Sequence, residues 1–460
     1  MLVFYVFLTR VWYLIYNWFR FPFYKIRRGC GQMQLGQLIK LERQRQNIKQ
    51  EALASGICVP SYLSRIENGL VIPSEEIKHH ILTRLNIHSD PSVNRPSDEH
   101  TLQFKFQFKR VLNSRDKELA RELLSEIHQY IEEHPLEENR LMLLLLEARL
   151  MLIFPEEYDM KNNIYILEEF KKEMTIEQIF YLYTIQGISA YQDNRFSQAS
   201  QLFEDVYQLI KGYRMEDWEM AELYYISGLS LLSEARYILA IDYVKEAINY
   251  FNQEILIERS IECLIILGIA QKNTGLLREA LSTFERARGI NSKIESSEFN
   301  GMIEHNLGSC HSLQKNSSQA LQHFFYSLEA KSSPDDKVVT ILSILKEYHK
   351  NGDLKNALIW LQKGIENTEQ LSVTKKDQYM NHFSVYGAIL LEKQELISTF
   401  KKVLDYFGEK QDYKNCMIYC HVLAKRLAET KQYKQASIYY DLGFHYHLKQ
   451  SKVSSWEELS

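Results

Sequence analysis

Glycine recurs at a fixed interval through the middle of this 460-residue chain: Gly187, Gly228, Gly268 and Gly308 are separated by 41, 40 and 40 residues. Twelve residues after each stands an alanine, at Ala199, Ala240, Ala280 and Ala320. Four further on come Phe203, Val244, Phe284 and Phe324, and three beyond those Val206, Ala247, Ala287 and Ser327. A spacing that repeats this strictly requires one supersecondary unit copied along the chain, each copy burying its apolar face against the next. Eight prolines and eighteen glycines leave long helices permitted almost everywhere, so the unit is read as a pair of helices and the class as all-α. Small residues let the paired helices approach closely, and the larger apolar residue fills the gap beside them. The pattern continues more weakly as Leu345, Ala357 and Leu361, then Gly387, Thr399 and Val403, then Ala424, Ala436 and Tyr440. Residues 175–450 are therefore expected to hold the repeats, 100–174 divergent helical pairs, and 451–460 a tail.

This order of glycine, alanine, aromatic and alanine resembles the tetratricopeptide pattern, with the excess over its period of about 34 residues placed in the second helix or the following connection. The resemblance implies a right-handed α-solenoid whose first helices line a concave groove. Projecting the repeat phase onto that groove selects Tyr181, Glu222, Tyr225, Lys272, Asn273, His305, Asn306, Lys346 and Asn381 as contacts for a short peptide. Tyrosines supply apolar area with a polar tip, and Asn, Lys and Glu satisfy main-chain amides and termini. Asn306 stands where related repeats often place an asparagine that bonds a peptide's main chain.

Near the other end, Gln50 to Gly69 reads as a short helix, a turn broken at Gly56, and a second helix opening at Pro60 and closing on Asn68-Gly69. On that second helix Leu63 and Ile66 share one side, and Ser61, Ser64 and Arg65 the other. An apolar back and a small, polar, basic front suit a major groove. With Leu38, Ile39, Arg43 and Arg45 on the preceding helix, the segment resembles an XRE-type helix-turn-helix, and its run from Ile57 to Gly69 is similar to the DNA-binding domain of PlcR- and NprR-like regulators. The resemblance implies DNA contacts from Gln50, Pro60, Ser61, Ser64 and Arg65, and a structural salt bridge between Arg43 and Glu67. Arg65 is the residue best suited to read a base, because a guanidinium reaches guanine O6 and N7 together.

Charge sets limits on how such a domain binds. The chain carries a formal net charge of −4, which excludes coating nucleic acid through bulk charge, and residues 33–87 hold seven basic against five acidic side chains. So slight a footprint makes affinity depend on pairing two domains, hence an expected homodimer. The helix-turn-helix domain is assigned to 33–87, and 88–99, with two prolines and several turn formers, to a linker. Residues 1–32 differ from the rest, with eleven aromatics, five basic residues and no acid. They read as a poor membrane span and a better interfacial anchor, or as a stretch upstream of a start at Met33; the last reading is preferred, with membrane contact not favoured.

Six scattered cysteines without paired spacing point to a reducing cytoplasm. The chain has no glycine-rich phosphate loop, no HExxH, no nucleophile elbow and no His/Cys cluster with metal spacing, so no enzyme, metal or cofactor is expected. Aspartyl-phosphate phosphatases related to these peptide receptors use a similar repeat array but a different N-terminal bundle. The expected function is a quorum-sensing type of transcription regulator that binds double-stranded DNA and a short signalling peptide, the peptide altering the dimer's DNA-binding geometry. The alternative is a tetratricopeptide scaffold docking to a signalling protein.

Overall fold

The computed structural model describes residues 33–87, 97–137, 139–391 and 395–451. The expectations for 1–32, most of the 88–99 linker and most of the tail lie outside them. Among the described residues the structure is helices and turns, with no strand, and no helix is long and apolar enough to cross a membrane. The chain divides into two compact units, up to Ala270 and from Gln271 onward.

The first unit opens with four short helices, α1 (Leu35–Arg45), α2 (Gln50–Ala54), α3 (Pro60–Glu67) and α4 (Glu75–Arg84). Pro60 takes the first turn of α3, where no N–H is needed, and Ser74 caps α4 by accepting from Ile77 N. Their apolar faces close on one core of Ile39, Leu53, Leu63, Ile66, Ile81, Leu82 and Leu85. Packing is tightest where α1 crosses α3: a side chain on Gly36 would run into the Ile66 carbonyl. Helix α5 (Ser97–Ser114) follows and takes up the last residues of the expected linker. Then come α6 (Lys117–Glu133), α7 (Arg140–Met151) and α8 (Met160–Glu169), joined by a short 3-10 turn to the regular pairs α9 (Ile176–Gln192) with α10 (Phe196–Leu209) and α11 (Asp217–Ser233) with α12 (Tyr237–Gln253). Within these pairs the repeated residues meet as their spacing requires. The aromatic Phe203 lies where Gly187 would carry a side chain, and Val244 stands likewise against Gly228. Ala199, Val206, Ala240 and Ala247 are fully buried.

Helix α13 (Ile257–Asn273) passes from the first unit into the second. The second unit continues with α14 (Leu277–Asn291), α15 (Ser297–Leu313), α16 (Ser317–Ala330), α17 (Pro334–Lys350), α18 (Leu354–Thr368), α19 (Val373–Leu390), α20 (Leu396–Glu409), α21 (Tyr413–Glu429) and α22 (Tyr433–Ser451). The same device holds α15 on α16, where a Cβ on Gly308 would come within 2.7 Å of the Phe324 ring. Tyr440 in the last described pair is 44% exposed. The architecture is thus a helix-turn-helix domain followed by tetratricopeptide-like helical pairs.

Four of the pairs turn on a non-glycine residue in the left-handed region, at Asn194, Ala235, Lys315 and Lys431. In every case the next N–H reaches back five residues, as from Arg195 to Ala190 O (2.8 Å) and Asn316 to His311 O (2.9 Å). These Schellman closures satisfy the last carbonyls of each first helix.

Candidate functional site

Three of the expected DNA-facing residues stand together on one open face. Pro60, Ser61 and Arg65 are exposed on α3 and Ser64 is half-buried beside them, while Leu63 and Ile66 point into the core. The Ser64 carbonyl accepts from the side-chain amide of Asn68 (2.8 Å), which holds the end of the helix beside the exposed Arg65.

Behind that face, Glu67 is only 2% exposed and carries the domain's main polar lock. Arg43 donates to it through Nε (2.7 Å) and Nη2 (3.0 Å), a bidentate pair, and uses Nη1 on the Ile48 carbonyl (3.0 Å). Gln50 gives its amide to Glu67 Oε2 (2.8 Å). One carboxylate therefore fixes α1, α2 and α3 to one another, and Gln50, expected at the DNA, is also a member of this lock. Its carboxamide oxygen and second N–H have no partner within it.

The domain rests on the helices that follow it within the first unit. Glu42 receives Arg140 Nη2 at 2.5 Å, where Arg140 is 1% exposed; Arg45 reaches Glu132 (2.9 Å), and Lys40 lies 3.6 Å from Glu169. A cavity of about 630 Å³ opens between α1 and helices α6–α8. Its polar lining is paired internally, as Glu42 with Arg140, Arg45 with Glu132 and His128 Nδ1 with Glu147 at 2.7 Å.

For the peptide face the first unit departs from the phase projection. Tyr181 is 3% exposed, its hydroxyl donates to Glu219 Oε1 (2.6 Å), and burial beside that carboxylate pushes the phenol pKa well up. It packs under Phe108 of α5, ring centroids 6.1 Å apart, with Trp218 on the same ring. Glu222 is 7% exposed and held by Arg149 (3.0 Å) and Arg259, while Tyr225 lies under the guanidinium of Arg259 (4.2 Å) and that of Arg115 (5.1 Å). Arg115 also bonds Glu262 at 3.3 Å. Helix α5 thus lies along the face shared by α9, α11 and α13, and a void of only about 20 Å³ remains beneath it. Tyr181, Glu222 and Tyr225 are packing and ion-pair groups here. Their repeat phase is real, but a helix outside the repeat covers them.

The second unit differs. Lys272 at the end of α13 donates to Asn306 Oδ1 (3.0 Å) and Ser309 Oγ (3.2 Å), and Asn306 gives its own amide to Met302 O (2.9 Å). His305 bonds Thr340 Oγ1 (3.1 Å), which also receives Lys331 Nζ (2.9 Å). Asn273 and Lys346 are exposed, and Asn381 is half-buried with its amide on Asp377 O (2.9 Å). Burial and the charges of Lys331, Lys272 and Lys346 hold His305 neutral, its pKa well below the usual range. Burial, with the nearby Lys414 charge, lowers the pKa of Lys272 and of Lys346. The lysines in this group were only partly legible in the sequence: Lys331 follows the end of α16, off the first-helix phase. Among the described residues no group of three His, Cys, Asp or Glu is arranged to hold a metal ion.

Residues 39–77 match the helix-turn-helix family model. The transcriptional activator NprA of Geobacillus stearothermophilus is 29% identical over 402 residues, spanning 86% of this chain and 98% of that protein. A Rap protein solved with competence and sporulation factor superposes with a TM-score of 0.66 at 17% identity, over 77% of this chain and 99% of the other. The quorum sensor NprR of B. thuringiensis in its apo form gives 0.62 at 16% identity, over 76% and 100% of the two chains. NprR in complex with its cognate peptide NprX gives 0.58 at 16%, over 76% and 98%. At these identities the solved structures establish the repeat fold.

Proposed function

We propose, from the premise that this chain is an NprA-like helix-turn-helix transcription regulator built on the Rap and NprR repeat fold, that it binds a specific DNA site and is controlled by a short signalling peptide. The observation that carries the DNA half is the pairing of an open Ser61, Ser64 and Arg65 face with the buried Arg43–Glu67–Gln50 lock behind it. A helix held this rigidly presents its side chains at fixed positions, which base readout requires. Likeness to NprA along 98% of that activator's length supports the regulatory role, and the peptide complex of NprR supports the second half.

In this reading the chain works as a cytoplasmic homodimer and a regulator rather than a catalyst. Its two α3 helices must stand about 34 to 36 Å apart, or a multiple of that, to read a two-fold site. A peptide that prefers one arrangement of the repeats shifts that spacing by its differential affinity. Pro60 and Gln50 border the contact, Ser61 and Ser64 hydrogen-bond within it, and Arg65 reads a base.

Replacing Arg65 by alanine tests this in a mobility-shift assay at fixed salt. The expected result is a loss of roughly 10- to 100-fold on the preferred site, with relaxed preference at one base pair. Unchanged affinity and sequence preference would overturn it, and absence of any preferred site in the parent chain would favour a protein-docking scaffold instead.

A further inference from the structure

We infer that the peptide face of the second unit takes an anionic group, a carboxylate that docks among Lys272, Lys331 and Lys346. This deepens the peptide reading above and rests on it. In the first unit the cations buried beside the repeats meet acids: Arg115, Arg149 and Arg259 converge on Glu222 and Glu262, and Lys105 on Glu177. The lysines of the second unit are arranged otherwise. Lys272 ends on an asparagine oxygen and a serine hydroxyl, and Lys331 on a threonine hydroxyl, all neutral acceptors. Lys346 projects from α17, and no carboxylate among the described residues pairs with it or with Lys272.

The acids nearby are engaged elsewhere. Glu347, next along α17, accepts from Ser317 (2.5 Å) and stands 3.7 Å from Lys350; Asp335 holds Lys375 (3.5 Å); Glu304 takes His323 (2.7 Å). Asp336 partly offsets the burial of Lys331. His305 shares the Thr340 hydroxyl with Lys331, stays neutral and adds no charge of its own. A partly buried ammonium that ends on neutral acceptors keeps much of its desolvation cost in the free protein. A ligand carboxylate would offset that cost and gain charge-assisted hydrogen bonds, so the site discriminates for an acid and against a neutral isostere.

Two sources fit the chemistry, an acidic side chain or the peptide's own C-terminus, and the experiment separates them. The full chain is incubated with random heptapeptide pools of three kinds: free C-terminus with Asp and Glu allowed, the same pool amidated, and a free-C-terminus pool lacking Asp and Glu. Bound peptides are recovered and identified by mass spectrometry. The expected result is about tenfold less peptide recovered from the pool that lacks the recognised carboxylate than from the full pool, the scale of one charged hydrogen bond. Loss on amidation assigns the C-terminus, and loss in the acid-free pool assigns a side chain.

The Lys272→Gln/Lys346→Gln variant should lose the preference while still retaining neutral peptides. In the parent chain, the preference should also weaken between about 0.05 and 0.5 M salt, a readout that needs no variant to fold. Peptides bound without charge preference and without salt dependence overturn the anionic assignment and leave the peptide reading standing. Recovery of no peptide from any pool overturns the peptide reading and this inference with it.

Discussion

Removing the Glu67 carboxylate should loosen the DNA-reading helix without touching its outward face. In Glu67→Ala, Arg43 loses two hydrogen bonds of 2.7 and 3.0 Å and Gln50 loses one of 2.8 Å. Stripping one partner from a buried pair costs about 3–5 kcal/mol because the other charge remains desolvated. Arg43 is 12% exposed at its side chain and keeps the Ile48 carbonyl, which places the expected cost at the lower end, about 3 kcal/mol. The chain has more than one unit, so global unfolding is a poor reporter; amide exchange in α1 and α3 reads the local free energy directly. At 1.4 kcal/mol per decade, protection there should fall by roughly 100-fold. Arg65→Ala should leave that exchange unchanged while weakening DNA binding and relaxing preference at one base pair. The double variant Arg43→Met/Glu67→Leu, which removes both charges and keeps the volume apolar, should recover most of the protection. Protection within about threefold of the parent in Glu67→Ala would refute the claim that this carboxylate fixes α3.

Three further outcomes follow from packing and charge. Gly187→Ala should destabilise the first unit by about 1–3 kcal/mol, because the new methyl meets the Phe203 ring, whereas Gly289→Ala, with nothing within 4 Å, should stabilise exposed α14 by up to about 1 kcal/mol; urea midpoints of the two variants check both signs. His382 is 5% exposed, and burial, aided by the Lys346 charge, brings its pKa down to about 3. The unfolded chain therefore binds the extra proton first, and stability of the second unit should fall as pH drops from about 6.5 toward 3, by at most about 1.4 kcal/mol per unit. His382→Phe should flatten that slope in pH-dependent unfolding. Lys331 is lowered by burial to about 8, so it loses its proton on folding above that value, and a carboxylate ligand should restore it. Calorimetry in buffers of different ionisation enthalpy near pH 8.5 should then show proton uptake on binding of an acidic peptide, and buffer-independent heats would contradict this.

The legible parts of this protein are those whose contacts repeat over short distances. Gly187 and Phe203 meet within one helical pair, as do Gly308 and Phe324, so a spacing of sixteen residues already states the packing. The Arg43–Glu67 contact spans 24 residues inside one small domain, and the resemblance to helix-turn-helix regulators implied it. Turn conformation was legible only where glycine occupies it. Asn194, Ala235, Lys315 and Lys431 hold the same left-handed geometry with nothing common in their side chains, because backbone closure of the preceding helix imposes it.

What the sequence by itself determined is therefore the all-helical repeat, its period, and a helix-turn-helix motif whose polar face lies opposite its core. Tertiary structure alone decided which groove positions remain available. Phase analysis treats every first helix alike, and it cannot see that α5, outside the repeat, lays Phe108 over Tyr181 and brings Arg115 to Glu262 across 147 residues of sequence. Burial and charge pairing depend on these long-range encounters. They turn Tyr181, Glu222 and Tyr225 into interior groups and leave Lys272 and Lys346 of the second unit without a carboxylate partner among the described residues.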